Sequence, residues 1–98
     1  GATNYYYPTG KLQWADNYDE GDQTGKQVHY YADGKLESEE NMQYDELNGV
    51  CKYYDKNGLL QREETYYYGA LNGPYKIYEA GKLKQENTYY YDVLLGAK

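Results

Sequence analysis

The sequence predicts an all-β repeat protein made of about four stacked antiparallel β-hairpins, arranged as a single-layer or shallowly curved sheet. The first observation is a 24-residue period, which superimposes Leu60 on Leu36 and Gly73 on Gly49. The second is a constant spacing of 13 residues from a leucine to the following glycine. The four leucines are Leu12, Leu36, Leu60 and Leu83. Self-similarity at a fixed period of this size indicates a repeat architecture.

The first copy covers residues 1–24 and contains two predicted strands. Residues 1–7 form a short strand that ends at Pro8-Thr9-Gly10, because proline fixes φ and glycine accepts a positive φ. Residues 11–18 form the second strand. The loop at 19–22 is the most polar part of the chain, as expected of a terminal copy that has water on one side.

The second and third copies, residues 25–48 and 49–72, repeat this pattern. Their predicted strands are residues 28–31, 36–44, 50–54 and 60–68. Asp33-Gly34 is a strong signal for a two-residue hairpin turn. The turn at 55–58 is one residue longer than that of the fourth copy, as a bulged hairpin requires. Both turn glycines, Gly34 and Gly58, should have positive φ.

The fourth copy, residues 73–98, completes a single array over residues 1–98. Its predicted strands are residues 75–78 and 82–91, joined by a turn in which Gly81 should have positive φ. Leu94-Leu95-Gly96 would begin a fifth unit. We therefore expect the natural protein to be longer, or an ordered tail to cover this edge.

Stacking such hairpins predicts ladders of equivalent side chains. The four leucines above form one ladder. A second contains Tyr18, Met42, Tyr66 and Tyr89, and a third contains Glu20, Tyr44, Tyr68 and Tyr91. Cross-strand aromatic pairs of this kind stabilise a sheet by roughly 0.2–1 kcal/mol each. The glutamates between the ladders are predicted to form a solvated stripe. They are Glu39, Glu40, Glu63, Glu64 and Glu86.

The composition narrows the possible partners. The chain has 17 Tyr, one Trp and no Phe, and a formal net charge of -6. Tyrosine suits a half-hydrated sheet face, because its ring is apolar and its hydroxyl needs a partner. The negative charge argues against nucleic acid and an anionic membrane and favours a basic protein. Cys51 is the single cysteine, so no internal disulfide can form.

Catalysis is not expected. His29 is the only histidine, and no serine or cysteine accompanies it in a recognisable motif. Cys51 has no CxxC or histidine cluster around it, so a zinc-type site cannot be assembled. The glutamate pairs recur with the repeat, which favours a solvated face over an acid–base pair. We therefore expect no cofactor, no metal and no enzymatic activity.

The repeat resembles the membrane-occupation-and-recognition-nexus (MORN) repeat, and more specifically the bacterial MORN-variant family of YwqK-type antitoxins. The residues that carry the resemblance are Gly25, Tyr30, Gly34, Leu36, Gly49, Tyr54, Gly58, Leu60, Gly73, Tyr78, Gly81 and Leu83. The chain departs from the family pattern at Gln27, Cys51 and Tyr75, where an aromatic residue, often tryptophan, is usual. The resemblance implies stacked hairpins, no active site and binding to another macromolecule.

Two functions follow as hypotheses. The first is a protein-interaction scaffold, such as an immunity protein that covers a basic toxin domain with an acidic, tyrosine-rich surface. The second is a secreted or cell-surface module that binds cell-wall or other glycans. The predicted partner-binding residues are Tyr67, Tyr90, Glu39, Glu63, Glu64 and Glu86. No apolar run of transmembrane length and no signal-peptide pattern occurs, so the compartment stays open, with the cytoplasm favoured.

Overall fold

The computed structural model describes residues 1–97, and these residues contain eleven β-strands and no helix. The strands are β1 (Ala2–Tyr6), β2 (Leu12–Asp19), β3 (Asp22–Gln23), β4 (Gly25–Tyr30), β5 (Leu36–Gln43), β6 (Glu46–Leu47), β7 (Gly49–Tyr54), β8 (Leu60–Tyr67), β9 (Ala70–Glu79), β10 (Lys82–Tyr90) and β11 (Val93–Ala97).

All strands belong to one open antiparallel sheet. Its order is β1-β2-β4-β5-β7-β8-β9-β10-β11, and the short strands β3 and β6 pair with β2 and β5. The backbone measures 43 × 35 × 12 Å. Because the strands follow one continuous open path and the backbone is only 12 Å thick, the sheet forms a single layer. The predicted all-β, single-layer hairpin array is therefore confirmed.

Two kinds of turn alternate over the first three copies, and both turns of the fourth copy are of the two-residue kind. Five two-residue turns have positive φ at both central positions, as type I′ hairpins require. These turns are Glu20-Gly21, Tyr44-Asp45, Tyr68-Gly69, Ala80-Gly81 and Tyr91-Asp92. The three-residue turns end in Gly10, Gly34 and Gly58, and each is followed by a register shift in its hairpin. The same shift occurs in the fourth hairpin, after the two-residue turn Ala80-Gly81, so this bulge does not depend on the length of the turn.

The turn glycines behave as predicted, but one turn is longer than expected. Gly34, Gly58 and Gly81 have φ of +94°, +86° and +80°, which confirms the sequence prediction. The two-residue turn predicted at Asp33-Gly34 is wrong. The backbone N–H of Tyr31 donates to the carbonyl of Lys35, so three residues form the turn. The same bulged geometry predicted for residues 55–58 thus occurs one copy earlier.

The predicted ladders also need correction. β4 lies between β2 and β5, and β7 lies between β5 and β8. Equivalent leucines in successive copies are therefore two strands apart and do not face each other directly. Tyr44, Tyr68 and Tyr91 lie outside the strands, in the type I′ turns, with φ of +49°, +44° and +45°. Their side chains are exposed because a turn position projects beyond the sheet.

A glycine marks the point where each copy crosses to the next. Gly25, Gly49 and Gly73 have φ of +99°, +111° and +123°, which L side chains rarely adopt. A Cβ on Gly49 would lie 3.4 Å from the Cβ of Asn41. On Gly73 it would lie 3.1 Å from Cγ2 of Thr65. The glycine is therefore required both by its conformation and by the close approach of the previous copy.

Side chains replace the ladder hydrogen bonds that are lost at these crossings. The amide of Asn41 donates to the carbonyl of Val50 at 2.6 Å, and Asn17 donates to the carbonyl of Lys26 in the same way. Gln27 fills the gap between β2 and β4: its Oε1 accepts the backbone N–H of Asn17 at 2.7 Å. Each crossing thus depends on one glycine and on polar side chains that satisfy the exposed backbone.

The turns at the two ends of the strands form the two long edges of the sheet, and these edges hold neighbouring copies together. At one edge, Oδ1 of Asn48 accepts the backbone N–H of Tyr68 at 3.1 Å. The carbonyl of Leu47 accepts the N–H of Gly69 at 2.7 Å. At the other edge, the Tyr31 hydroxyl donates to the carbonyl of Tyr54 at 2.8 Å. The second and third copies are therefore joined by hydrogen bonds at both ends of their strands.

Strand alternation gives the sheet two faces. The buried face carries Trp14, His29, Ser38, Tyr53, Arg62 and Ile77, which the register pairs in sequence from β2 to β9. Every residue between 1 and 96 with less than a tenth of its surface exposed lies on this face. These residues are Asp16, Gln27, Ser38, Cys51 and Glu64. Only Cys51 is apolar, so the sheet has no dry core.

A Gly73→Ala substitution should therefore destabilise the array more than a substitution in a turn. We expect it to lower the free energy of unfolding by about 2–4 kcal/mol, because positive φ and the contact with Thr65 both oppose a Cβ. Gly58→Ala is the matched control, since no atom lies within 4 Å of its Cβ position. It should cost only about 1–2 kcal/mol. Urea denaturation would measure both, and equal losses would contradict the crossing geometry.

Candidate binding surfaces

A cation is held within the third copy on the buried face. The guanidinium carbon of Arg62 lies 4.3 Å from the ring centroid of Tyr53, and Arg62 Nε lies 2.9 Å from Glu64 Oε2. The alignment at Nε is that of an ion pair and not of a hydrogen bond. The other oxygen, Glu64 Oε1, accepts the Tyr66 hydroxyl at 2.8 Å. Aromatic stacking and a carboxylate together therefore position this arginine.

Burial and carboxylates raise the pKa of the tyrosines in this region. Tyr53 donates its hydroxyl to Glu40 Oε2 at 2.8 Å. Burial raises the pKa of Tyr53 far above its usual range, and the bond to Glu40 raises it further, because a phenolate there would face a carboxylate. The pKa of Tyr66 is raised for the same two reasons, with Glu64 as its partner. Both hydroxyls act as donors in the folded chain.

A depression of about 550 Å³ opens on the same face, over the first two copies. Two aromatic rings form one wall: Tyr5 and Trp14 lie 4.6 Å apart between centroids, at 42°. The Trp14 ring lies 5.7 Å from that of His29. Asp16 and Glu40 contribute carboxylates to the lining. This depression, called the Trp14 depression below, combines aromatic surface with negative charge.

The opposite face carries a row of alternating charges. Glu39 pairs with Lys52, Lys52 with Glu63, and Glu63 with Lys76, each on adjacent strands. Lys76 in turn pairs with Glu86, with 3.8 Å between Nζ and Oε2. We call this row the charge ladder. Opposite charges directly across a strand pair stabilise a sheet, so the glutamates here are largely compensated.

The negative charge is concentrated at one long edge of the sheet. This acidic edge comprises residues 19–23, 43–47, 67–71 and 90–94, which form the turns after β2, β5, β8 and β10. It contains six carboxylates and no lysine or arginine. The turns and flanking residues at the other edge, 7–11, 31–35, 55–59 and 79–83, contain three carboxylates and four lysines. A hydrogen bond shared with Asp45 raises the pKa of Asp22, because the two carboxylates adjoin.

Exposed tyrosines lie on the acidic edge. Tyr67 and Tyr68 have ring centroids 4.8 Å apart, Tyr67 and Tyr91 are 6.2 Å apart, and Tyr90 and Tyr91 are 4.6 Å apart. All four side chains are about half exposed, at 45–51%. We call them the tyrosine cluster. Edge-to-face contacts of this kind hold rings in fixed positions without covering them.

The structure distributes the sequence-predicted site residues over three places. Tyr67 and Tyr90 lie together in the tyrosine cluster. Glu39, Glu63 and Glu86 lie in the charge ladder. Glu64 is elsewhere: it is 8% exposed on the buried face, paired with Arg62. The prediction that Glu64 belongs to a solvated stripe is wrong, and so is that for Glu40, because neighbouring residues in a strand point to opposite faces.

The sequence interpretation missed the Trp14 depression. Its signal was present in the repeat, since Trp14 occupies the position that Ser38 and Arg62 occupy in the next two copies. A small residue next to a large one at equivalent positions leaves space above the smaller side chain. In the part of the chain that the structure describes, no cluster of three or more histidine, cysteine or carboxylate side chains could hold a metal ion.

The hairpins match a known repeat. Residues 23–44 and 47–66 match the family model described as MORN repeat variant. The two matched segments correspond to the hairpins β4–β5 and β7–β8. Repeats of this family are non-catalytic modules that are generally associated with binding of proteins or membrane lipids. No curated protein and no solved structure matches the chain. Residues 1–97 contain no helix long and apolar enough to cross a membrane.

Reversing one charge in the ladder tests its contribution to stability. Lys52→Glu would place three like charges in a row across β5, β7 and β8. We expect the free energy of unfolding to fall by about 1–2 kcal/mol at low salt, and the loss to shrink as salt is added. Lys56→Glu, in an exposed turn, changes the net charge equally and should have little effect. A similar loss in both variants would show that net charge, and not the ladder, is responsible.

The raised pKa of Tyr53 predicts a loss of stability at alkaline pH. Because its folded-state pKa lies above the unfolded value of about 10, its contribution is complete below about pH 10 and is lost as pH rises further. Tyr53→Phe should therefore reduce the difference in unfolding free energy between about pH 7 and pH 11. Tyr67→Phe, which removes an exposed hydroxyl, is the control. Equal pH responses in the parent and Tyr53→Phe would contradict this explanation.

Proposed function

We propose that this repeat array is a non-enzymatic protein-binding module whose partner is a basic protein. The observation that carries the proposal is that the acidic edge holds six carboxylates and no lysine or arginine, and also holds the exposed tyrosine cluster. Five of the carboxylates lie in the turns of the first two copies, and Asp92 lies beside the tyrosines of the last two. Tyrosines are common anchors of protein interfaces, being large, rigid and amphipathic. The carboxylates along the same edge would attract a basic surface and orient it during association.

The general association of MORN repeats with proteins or membrane lipids supports this class of function. Between the two, protein is favoured here, since a formal net charge of -6 opposes approach to an anionic lipid surface. An antitoxin or immunity role of the YwqK type is the specific form of the proposal, in which the array covers a basic toxin domain. Steering by charge would then make complex formation fast.

Glycan binding is the alternative that the aromatic composition suggests. It would use stacking on exposed rings and would be insensitive to salt, because a neutral sugar gains nothing from the carboxylates. The only indole is Trp14, which is half-buried in the depression on the buried face. The acidic edge offers tyrosines alone. We therefore favour the basic protein.

The charge component is tested with a matched pair of variants. Glu46→Lys changes the acidic edge, and Glu37→Lys changes the net charge equally away from it. With a basic partner captured from the source cells and then purified, Glu46→Lys should slow association by roughly twofold to threefold at low salt. Glu37→Lys should change it less, and added salt should slow the parent. Equal effects of the two variants would contradict binding at this edge.

The dissociation rate of the same partner tests the contribution of the tyrosine cluster. Tyr67→Ala and Tyr90→Ala should speed dissociation with little change in melting temperature, because both side chains are exposed. Tyr66→Ala removes a half-buried ring from the buried face, so it should mainly lower stability. Recovery of polysaccharide alone, bound equally at low and high salt, would replace this proposal with glycan binding.

A further inference from the structure

Three positions on the buried face recur in the first three copies. The first position is Tyr5, His29 and Tyr53; the second is Trp14, Ser38 and Arg62; the third is Asp16, Glu40 and Glu64. The third position is a carboxylate in all three copies, and the first is always a ring. The second position alone alternates between an indole, a hydroxyl and a guanidinium. These copies therefore share a ring at the first position and a carboxylate at the third, and they differ in the side chain at the second position, which lies between them.

In the third copy this environment is filled by the chain itself. Arg62 stacks over Tyr53 at 4.3 Å from the centroid and reaches Glu64 at 2.9 Å. The third copy thus shows that its ring and its carboxylate together bind a planar cation. Arginine satisfies both at once, because its flat guanidinium can stack on a ring while its charge pairs with a carboxylate.

In the first two copies the same environment has no cation of the chain. Ser38 is too short to reach over His29, and it lies buried below the surface, 5% exposed. Asp16, whose side chain is 12% exposed, has only the His29 imidazole at 3.9 Å as a basic neighbour. Glu40 accepts one bond, from Tyr53, through Oε2. Among the side chains of residues 1–96, no lysine or arginine lines the Trp14 depression.

We propose that the Trp14 depression is a binding site for a guanidinium group, supplied by an arginine side chain of a peptide or protein. The guanidinium stacks on the indole of Trp14, the ring that attracts cations most strongly, as Arg62 stacks on Tyr53. Its N–H groups donate to the carboxylates of Asp16 and Glu40. A volume of about 550 Å³ admits the whole side chain. Two lining residues, Gln23 and Leu47, also belong to the acidic edge, but the rings and carboxylates that hold the guanidinium do not, so the proposal does not depend on the one above.

The single tryptophan makes the site directly observable. Trp14 fluorescence, excited where tyrosine does not absorb, reports on this depression alone. The probe is the tripeptide acetyl-Gly-Arg-Gly-amide, which should give a saturable change with a Kd on the order of 0.1–1 mM. The peptide with citrulline in place of arginine has nearly the same shape and no charge, and it should give no saturable change. The lysine peptide should bind about threefold to tenfold more weakly, since an ammonium cannot stack as a plane.

Variants then locate the binding on the buried face. Asp16→Asn and Glu40→Gln should each weaken binding of the arginine peptide by about threefold to tenfold. Glu63→Gln, on the charge-ladder face, is the control and should leave the affinity unchanged. Ser38→Arg should place a guanidinium of the chain itself in the depression, as Arg62 does in the third copy. It should therefore abolish the fluorescence change with the arginine peptide. Melting curves identify any variant that fails to fold.

Three outcomes would overturn the proposal, and the first two need only the parent chain. Equal fluorescence changes with the arginine and citrulline peptides on the parent chain would show that charge is not recognised. A saturable change with a neutral disaccharide and none with the arginine peptide would assign the depression to glycans. An affinity reduced as much by Glu63→Gln as by Asp16→Asn would place binding elsewhere.

Discussion

The fold depends on the glycine at which each copy crosses to the next. Gly49 and Gly73 combine positive φ with a close approach to the preceding copy, and only a residue without Cβ satisfies both. The strand shifts register there, and several ladder hydrogen bonds are lost. Asn41 and Gln27 restore them with their side-chain amides. Because the sheet has one layer, these polar contacts occupy the position of a hydrophobic core, and every copy depends on its neighbours.

Alternation along the strands then determines where charge and aromatic surface appear. Glu63 and Glu64 are adjacent in sequence, yet one lies in the charge ladder and the other under Arg62. The ladder alternates three glutamates with two lysines across β5 to β10, so most of its charge cancels. What remains is the acidic edge, which holds no lysine or arginine, whereas the turns and flanking residues of the other edge hold four lysines. The net charge of the chain is thus a property of one edge.

The two proposed surfaces differ in the physics of recognition. The acidic edge offers exposed rings and unpaired charge on turns, which suits a broad basic surface approached from solution. The Trp14 depression offers a concave site with fixed rings and carboxylates, which suits one planar cation. Arg62 provides an internal example of the second kind, since it makes within the chain the contacts proposed for a ligand. The two surfaces adjoin at Gln23 and Leu47, and a partner rich in arginine could engage both.

The sequence alone determined the repeat, the strand periods and the turn glycines, because spacing and backbone conformation are local properties. It also separated Tyr67 from Tyr66, since alternation needs only a strand assignment. It failed at Glu40 and Glu64, and at Tyr44 and Tyr68. For the first pair, the face that is buried is not encoded in either glutamate. For the second, one residue of turn length decides between strand and turn. The Trp14 depression and the tyrosine cluster arise only in the tertiary structure, because both are formed by side chains from several copies whose neighbours are set by the crossing glycines.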